Sequence, residues 1–426
     1  MKEHFKVAKG TVDLYIYFFE KGLNILNPTG TLAFITPNRF LSATYGKALR
    51  EFIIQNYKLD ILVDYSDKKV FPDASTYPVI TFLSNKSADS YDILTGKFND
   101  EKELISKIFP SSKLTILDDY ILGFLLNDKL EITEKIISQS VPLTHCGKIN
   151  ATSTAGEAED ISKLLNEENG LKLINTGTID PYFNTWGFEY LTDKGSKYLK
   201  PYLPLNNRIV SDNRYKLYQS QKIIISKIGL QCEAFLDDHG EYASINTNCI
   251  HSFTSTFIPK YVVCWLNSKL YNYMFECLFD GLRMSGGYLL FSAPNLKNTY
   301  IKEITLESQQ PFIIKADSML SLNKELQDIS ARFEKTCERK FENISFNKKL
   351  QNWYSLSYAD FIKELTKQKI KLSLSEEAEW ADYFDQEKSK ALGIQSEITK
   401  TDKEIDRMVY ELYGLSKEEI EIVENG

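Results

Sequence analysis

Basic side chains are concentrated in one window of a chain that is acidic overall. Residues 191–228 contain eight lysines and arginines and two aspartates, a local charge of +6, whereas the whole chain has a net charge of −7. Lysine and arginine neutralise phosphates, and the tyrosines interleaved among them can donate hydrogen bonds to phosphate oxygens. The window therefore predicts a surface that contacts double-stranded DNA. The alternative is a solvated surface whose charge is incidental.

The basic residues can be given roles from their side-chain chemistry. Sequence reading in the major groove usually relies on arginine, asparagine or glutamine, so we predict that Arg208, Arg214 and Arg283 reach base edges. Arg283 stands in a loop at residues 280–288 whose glycines permit close approach to DNA or simply satisfy turn geometry. The residues predicted to contact DNA are Lys194, Lys197, Arg208, Arg214, Lys216, Lys222, Lys227 and Arg283.

Metal-dependent and nuclease chemistry have little support in the sequence. The six cysteines are scattered without a C-x-x-C pair, which favours buried reduced thiols over a zinc site, and no metal ligand is predicted. The triplet Asp67-Lys68-Lys69 matches the acidic-x-lysine pattern of a restriction nuclease only by letter, and such triplets are frequent by chance. No stretch approaches the roughly 20 apolar residues of a membrane span, which predicts a cytoplasmic protein.

The first region has the pattern of an α/β sheet. Apolar residues at helical spacing from Tyr15 to Leu26 predict a packed helix, and the apolar run at 31–36 predicts a strand covered on both faces. A second helix and two further strands are predicted at about 45–55, 59–63 and 79–83. Three strands and two helices make half of a doubly wound sheet. No glycine-rich phosphate loop follows these strands, so we expect the half that would hold a nucleotide-like cofactor to precede Met1.

The rest of the chain divides into a mixed region and a helical region. Short strands, among them 172–177 and 222–227, and a helix at 261–279 predict an α+β domain. The last region carries two apolar stripes at coiled-coil spacing, which most simply pack on each other as an antiparallel hairpin and alternatively form an intermolecular zipper. The stripes are Met319, Leu322, Leu326, Ile329 and Phe333, and Ile394, Ile398, Ile405, Met408 and Leu412.

Several of these segments resemble a known family. Residues 30–41, Gly-Thr-Leu-Ala-Phe-Ile-Thr-Pro-Asn-Arg-Phe-Leu, are similar to the stretch downstream of the catalytic tetrapeptide in gamma-class adenine-specific DNA methyltransferases of restriction-modification systems, including the type IIG enzymes. The similarity continues at 69–72 and 77–83. Residues 223–227 with 263–268 resemble the TaqI-like C-terminal specificity domain, and 405–415 resemble the ending of this family.

The resemblance implies a fold and three domains. With bounds taken from the sequence patterns above, it implies the distal half of a class I methyltransferase Rossmann-like sheet (1–137), an α+β target-recognition domain (138–307) and a helical, coiled-coil-like C-terminal region (308–426). It also implies adenine N6 methylation of double-stranded DNA with S-adenosyl-L-methionine as the methyl donor. In this family an aromatic residue stacks on the extruded adenine, and the matching position is Phe71. A core phenylalanine at a strand end is the alternative.

The tetrapeptide that performs the chemistry in this family, Asn-Pro-Pro-Tyr, is absent. Asn27-Pro28-Thr29-Gly30 falls in the predicted turn between helix and strand and lacks both the second proline and the aromatic residue. We therefore assign no catalytic residue to this chain and expect it to be inactive alone. The expected partner is an N-terminal methyltransferase half on the same polypeptide or on a separate chain. The alternative function is a stand-alone DNA specificity subunit that borrows catalysis from another chain.

Overall fold

The computed structural model describes residues 5–66, 77–99, 102–205, 207–284 and 286–425 and shows a mixed α/β protein. The helices are α1 (Leu14–Asn24), α2 (Lys47–Asn56), α3 (Leu130–Ile137), α4 (Ala155–Ser162), α5 (Asp212–Tyr218), α6 (Pro259–Asn267), α7 (Lys269–Phe279), α8 (Ala293–Lys297), α9 (Leu306–Lys340), α10 (Lys348–Gln351), α11 (Tyr358–Lys367), α12 (Leu374–Tyr413) and α13 (Lys417–Asn425).

The strands fall into one larger sheet near the N-terminus and several small sheets in the middle of the chain. They are β1 (Thr31–Pro37), β2 (Tyr57–Asp64), β3 (Pro78–Asn85), β4 (Asp92–Phe98), β5 (Leu104–Pro110), β6 (Val141–Pro142), β7 (Lys148–Ala151), β8 (Leu171–Asn175), β9 (Ile179–Asp180), β10 (Phe183–Asn184), β11 (Leu191–Asp193), β12 (Ser196–Tyr198), β13 (Tyr202–Leu203), β14 (Lys222–Ser226), β15 (Ile228–Gly229), β16 (Ala234–Asp237), β17 (Tyr242–Ile245), β18 (Thr247–His251), β19 (Leu289–Leu290) and β20 (Tyr300–Ile301).

The N-terminal sheet has the order β1-β3-β2-β4-β5. Strand β3 lies between β1 and β2 and is antiparallel to both, β2 pairs in parallel with β4, and β4 is antiparallel to β5. The two helices and three strands predicted for this region are present at the expected places. The sheet nevertheless contains one parallel pair only among the described strands, and β4 and β5 extend it beyond the predicted three.

Strand β1 is an edge strand with one face covered. Phe34 packs on Phe19 of α1 with ring centroids 5.2 Å apart, whereas Ala33 and Ile35 point to the opposite face and are exposed. The prediction that this strand is covered on both faces is therefore wrong. An all-apolar run does not show whether a second layer is present, because an uncovered face of β1 carries the same residue types.

In the middle region, β14 lies at the centre of the sheet β16-β14-β18-β7 and all five of its residues are buried. Ile223 and Ile225 join the main hydrophobic core, while Ile224 on the other face joins a separate small core. The single helix predicted at 261–279 is two helices, α6 and α7. The chain is extended at Ser268, whose hydroxyl accepts a hydrogen bond from the N–H of Tyr271 and so starts α7.

The main core draws on all three sequence regions, because Leu49, Trp265, Met319 and Ile405 belong to one cluster of buried residues. Helices α9 and α12 lie side by side, and the pairs Lys315–Glu404 (2.5 Å) and Lys340–Glu376 (2.9 Å) show that they run in opposite directions. The two apolar stripes are buried or partly buried between these helices and their neighbours. No described helix has the length and apolarity that crossing a membrane would need.

Candidate nucleic-acid interface

The basic window wraps a small lobe with its own core. Leu191, Leu203, Val210 and Tyr218 from the window pack against α4 and against strands β8 and β17. Because these apolar side chains point inward, the polar side chains between them are carried to the surface of the lobe. The window is thus one folded unit as far as Tyr218, after which the chain enters the buried strand β14.

Two of the predicted DNA-contacting residues are engaged by acidic residues of α4. Arg214 forms a two-pronged ion pair with Glu157, with Nη2–Oε2 and Nε–Oε1 distances of 2.7 and 3.3 Å, and its Nη1 donates to the carbonyl of Ala151. Burial opposes ionisation of Glu157, but the backbone N–H of Thr154 and the Arg214 guanidinium outweigh it and lower the pKa of Glu157. The donors of Arg214 are therefore used inside the lobe, which disagrees with the predicted base-reading role.

Lys194 is held more loosely. Its Nζ lies 3.5 Å from Oε1 of Glu159, and both side chains are more than half exposed. It occupies the tight turn between β11 and β12, where Lys194 and Gly195 both have positive φ. A pair this exposed contributes little free energy, so Lys194 stays available to a phosphate.

The prediction for Lys222 is wrong. Its side chain is fully buried, and its Nζ donates to Oδ2 of Asp237 and to the carbonyl of Tyr218, both at 2.5 Å. Burial lowers the pKa of Lys222, while the Asp237 carboxylate favours its charged form. Counting charges along the sequence cannot separate this internal ion pair from a surface lysine.

Arg283 is also engaged locally. It pairs with Asp280, lies 3.3 Å from Glu276 and donates to the carbonyl of Gly287 at 2.7 Å. These contacts brace the 280–288 loop from within, so the predicted base-reading role would require Arg283 to leave them. Lys227 is half-buried, and its backbone N–H donates to Thr176.

Three predicted residues remain exposed and make no ion pair within the described part of the chain. They are Lys197 on β12, Arg208 ahead of α5, and Lys216 on α5. All three belong to the lobe built around Leu191 and Tyr218. We call Lys197, Arg208 and Lys216 the basic triad below. Phe71 and the triplet 67–69 lie outside the described residues.

A second candidate site is a cleft of about 470 Å³ where β1 ends. It is lined by Asp13, Leu14, Tyr15, Pro37, Asn38, Arg39 and Tyr77. We call it the β1 cleft. In open α/β sheets the carboxyl ends of the strands are the usual place for ligands, and that rule could have singled out Asn38 from the sequence.

Two residues that line the β1 cleft, Asp13 and Tyr15, share a hydrogen-bond network with Tyr45. The hydroxyls of Tyr15 and Tyr45 are 2.8 Å apart, and Tyr45 donates to Oδ2 of Asp13 at 3.1 Å. Burial raises the pKa of both tyrosines, and the hydrogen bond to Tyr45 raises that of Tyr15 further. Both tyrosine hydroxyls are therefore neutral and protonated, and each can donate a hydrogen bond.

Asn38 and Tyr77 also line the β1 cleft. The backbone N–H of Asn38 donates to the carbonyl of Tyr77 at 2.8 Å, which fixes the two residues relative to each other. The side chain of Asn38 is 8% exposed, yet its Oδ1 has no hydrogen-bond partner among the described residues and its Nδ2 reaches only Ser66 at 3.5 Å. Tyr77 is 47% exposed.

Comparison with known proteins gives three family matches. Residues 1–71 match the model of the Eco57I restriction-modification methylase, residues 172–304 that of the TaqI-like C-terminal specificity domain, and residues 305–409 a domain of unknown function (DUF8810). Over these segments the chain is similar to restriction-modification methyltransferases. The specificity-domain match contains the whole basic triad, and the methylase match contains the strand end that forms the β1 cleft, Asn38 included.

Curated relatives of this restriction-modification class are similar over parts of the chain. The type II restriction enzyme and methyltransferase RM.Eco57I of Escherichia coli is 27% identical over 241 residues, which cover 52% of this chain and 23% of that protein. The type II methyltransferase M.BstVI of Geobacillus stearothermophilus is 40% identical over 121 residues, covering 26% of this chain and 22% of that protein. The aligned part of the chain thus spans less than a quarter of the length of these relatives.

Solved structures in the same class are more distant. The type IIL restriction-modification enzyme MmeI in complex with DNA aligns over 92% of this chain and 52% of that chain, with 11% identity and a TM-score of 0.42. The type IIG restriction endonuclease BpuSI aligns over 73% of this chain and 45% of that chain, with 12% identity and a TM-score of 0.31.

The first turn of α2 does not form a cradle for S-adenosyl-L-methionine. The first turn of α2, which could face an anion, is filled by the chain itself: a Cβ at Gly46 would lie 2.3 Å from the carbonyl oxygen of Phe40. The same carbonyl accepts a hydrogen bond from the buried guanidinium of Arg50 at 2.5 Å.

Proposed function

We propose that this chain recognises a specific sequence in double-stranded DNA for adenine N6 methylation by S-adenosyl-L-methionine within a restriction-modification system. The observation that supports this most is the coincidence of the specificity-domain match with the lobe that carries the basic triad. Lys197 and Lys216 hold phosphates of the duplex, and Lys194 joins them from the β11–β12 turn. Arg208 contacts either a phosphate or the base edge predicted from its side-chain type.

Methyl transfer itself needs a catalytic half that residues 1–426 do not supply. The open flank of the N-terminal sheet supports this part of the proposal. Strand β1 pairs with β3 alone among the described strands, and the uncovered face of the sheet carries Ala33, Ile35, Ile80 and Phe82, none of them fully buried. A partner that adds a strand beside β1 would extend the sheet at this edge, and a layer packed on the uncovered face would bury its apolar residues.

The experiment is a transfer assay with methyl-labelled S-adenosyl-L-methionine and genomic DNA. The chain is assayed alone, and mixed with a polypeptide that carries the cofactor and Asn-Pro-Pro-Tyr motifs and is encoded next to it. The proposal predicts label in adenine N6 for the mixture only, at one recurrent sequence. Label without sequence preference, or equal labelling when residues 138–307 are deleted from the chain, contradicts it.

The second candidate is a separate specificity subunit that borrows catalysis in trans. The reading frame distinguishes it from a segment of one longer enzyme. In-frame continuity with the upstream catalytic motifs supports the single enzyme, and a distinct stop and start between them supports the subunit.

A further inference from the structure

We propose that a cavity between the middle and helical regions binds an alkyl polyamine, with the ammonium groups at its carboxylates and the methylene groups against its apolar side chains. The cavity has a volume of about 150 Å³ and is lined by residues of the segment 180–189, of α9 and of the segment 351–354. We call it the acidic cavity. None of its lining residues belongs to the basic triad or to the β1 cleft, so this inference does not depend on the proposed function.

The first argument is that three carboxyl groups line the acidic cavity and no cation of the chain answers them. Asp180, Glu189 and Glu334 line it, and none of them forms an ion pair within the described part of the chain. Burial and the nearby Glu189 raise the pKa of Asp180, and burial and Glu338 raise that of Glu334 to about 7. A bound cation offsets both causes, because it favours the ionised form of each carboxyl group.

The second argument is a buried polar group that the chain leaves without a partner. Asn323 lines the acidic cavity from α9 and is 5% exposed. Its Nδ2 donates to the carbonyl of Met319 at 2.8 Å, whereas its Oδ1 accepts no hydrogen bond from the described residues and is not shielded from solvent. Since the residue is otherwise buried, this oxygen opens on the cavity. An ammonium group has three donors and no acceptor, and so complements such an oxygen.

The third argument favours a polyamine over a metal ion. The described residues contain no group of three or more acidic, histidine or cysteine side chains placed to hold a metal. A polyamine instead carries separated ammonium groups that reach separated acceptors. Phe183, Phe188 and Leu326 also line the cavity and offer apolar surface to its methylene chain, and the ring of Tyr354 can face an ammonium group.

The fourth argument is that hydrogen bonds hold the two sides of the acidic cavity together. Nε2 of Gln327 on α9 donates to the carbonyl of Asn184 at 2.8 Å, and Nε2 of Gln351 donates to the carbonyl of Phe188 at 3.4 Å. A site that is formed in advance loses less conformational freedom when the ligand binds. A polyamine that contacts both sides therefore also strengthens the contact between the middle and helical regions.

The test is isothermal titration calorimetry of spermidine into the full chain at pH 8, where the Glu334 carboxyl group is mostly ionised. We expect one spermidine per chain and a loss of affinity of about tenfold in Glu334→Gln, because a charge-assisted hydrogen bond is removed. The matched control is Glu325→Gln, which makes the same change at an exposed residue of α9 outside the cavity lining and should bind spermidine as the parent does. An equal loss in both variants means general attraction to an acidic protein and overturns the site.

A second variant and a second measurement keep the proposal testable if Glu334→Gln fails to fold. Glu189 is exposed, so Glu189→Gln should weaken spermidine binding without a change in thermal unfolding. Hydrogen exchange locates the ligand, and spermidine should slow exchange of the amides in both 183–189 and 351–354. Slowed exchange only outside these segments, unchanged binding in Glu189→Gln, or full displacement of spermidine by an equal concentration of Mg²⁺ overturns the polyamine assignment.

Discussion

Nζ of Lys222 lies 2.5 Å from Oδ2 of Asp237, and both side chains are almost completely shielded from solvent. The same carboxylate accepts hydrogen bonds from the backbone N–H groups of Glu241 and Tyr242. The pair thus ties the first residue of β14 to the turn that follows β16. A charge count assigns Lys222 to a DNA-binding surface, but the residue forms a buried ion pair that stabilises the middle region.

Replacing this lysine should damage stability and leave the electrostatics of DNA binding intact. Lys222→Met leaves the Asp237 carboxylate buried without its cation, which typically costs about 3–5 kcal/mol of unfolding free energy. Urea denaturation measures the change, and Lys216→Met, an exposed residue, should stay within about 0.5 kcal/mol. A Lys222→Met protein as stable as the parent would show that the pair is absent in solution.

The pair between Arg214 and Glu157 should behave as a coupled structural contact. Its side chains are 16% and 33% exposed, so we expect a coupling free energy of about 1 kcal/mol between Arg214→Leu and Glu157→Gln. A double-mutant cycle followed by chemical denaturation measures it. Additive effects of the two substitutions would mean that Arg214 is free, and the base-reading role predicted from the sequence would regain support.

The basic triad should set the salt dependence of duplex binding. Each phosphate contact contributes about −0.9 to the slope of log K against log salt concentration. Lys197→Glu/Arg208→Glu/Lys216→Glu should therefore flatten the slope by about 2 to 3. The control is Lys363→Glu/Lys390→Glu/Lys400→Glu, which changes the net charge equally at exposed lysines of the helical region. If the slope flattens equally in both triple variants, net charge alone explains the effect and the basic triad has no specific role.

The free energy of unfolding should fall with rising pH because Asp406, near the C-terminal end of α12, is a buried carboxyl group. Burial raises the pKa of Asp406 to about 7. The backbone N–H of Lys269, which donates a hydrogen bond to Asp406 at 2.9 Å, partly opposes this rise. The folded state binds this proton more tightly than the unfolded chain does. Its contribution is therefore complete below the unfolded pKa of about 4 and is lost as pH rises through 7.

Asp406→Asn keeps an acceptor for Lys269 and removes the charge. We expect it to raise the unfolding free energy at pH 8 by about 1–2 kcal/mol and to change it little at pH 4.5. Denaturation at both pH values is the measurement, with the exposed Asp385→Asn as control. Some pH dependence should persist, because burial also raises the pKa of Glu233 and of Glu334 to about 7. A gain that is the same at both pH values would contradict the assignment.

Periodicity located the elements of the N-terminal region well because it reports which side chains face a core. The helix containing Phe19 and the strand containing Phe34 were predictable on that basis, since their apolar spacing is dictated by one buried face. The sequence does not predict the uncovered face of β1, because Ile35 has the same apolar character whether or not a second layer covers it. The sequence does not predict strand β5, because it is exposed along most of its length, and in β4 Gly96 and Lys97 interrupt the apolar run.

Residue type proved a weaker guide to the site. The charge of residues 191–228 locates the lobe. Arg214 and Lys222, however, pair with Glu157, which precedes this window, and with Asp237, which follows it. Such pairings are tertiary contacts that a linear count does not contain. The β1 cleft was within reach, because an asparagine directly after a strand marks a place where ligands commonly bind.

Selection from a pool of random duplexes tests the central claim most directly. The purified chain, mixed with the proposed catalytic half, is incubated with the pool at physiological salt, and the retained DNA is sequenced. Recognition by residues 172–304 predicts enrichment of one short sequence that contains adenine, and loss of retention in the basic-triad variant. Retained DNA with the same composition as the starting pool would contradict the account.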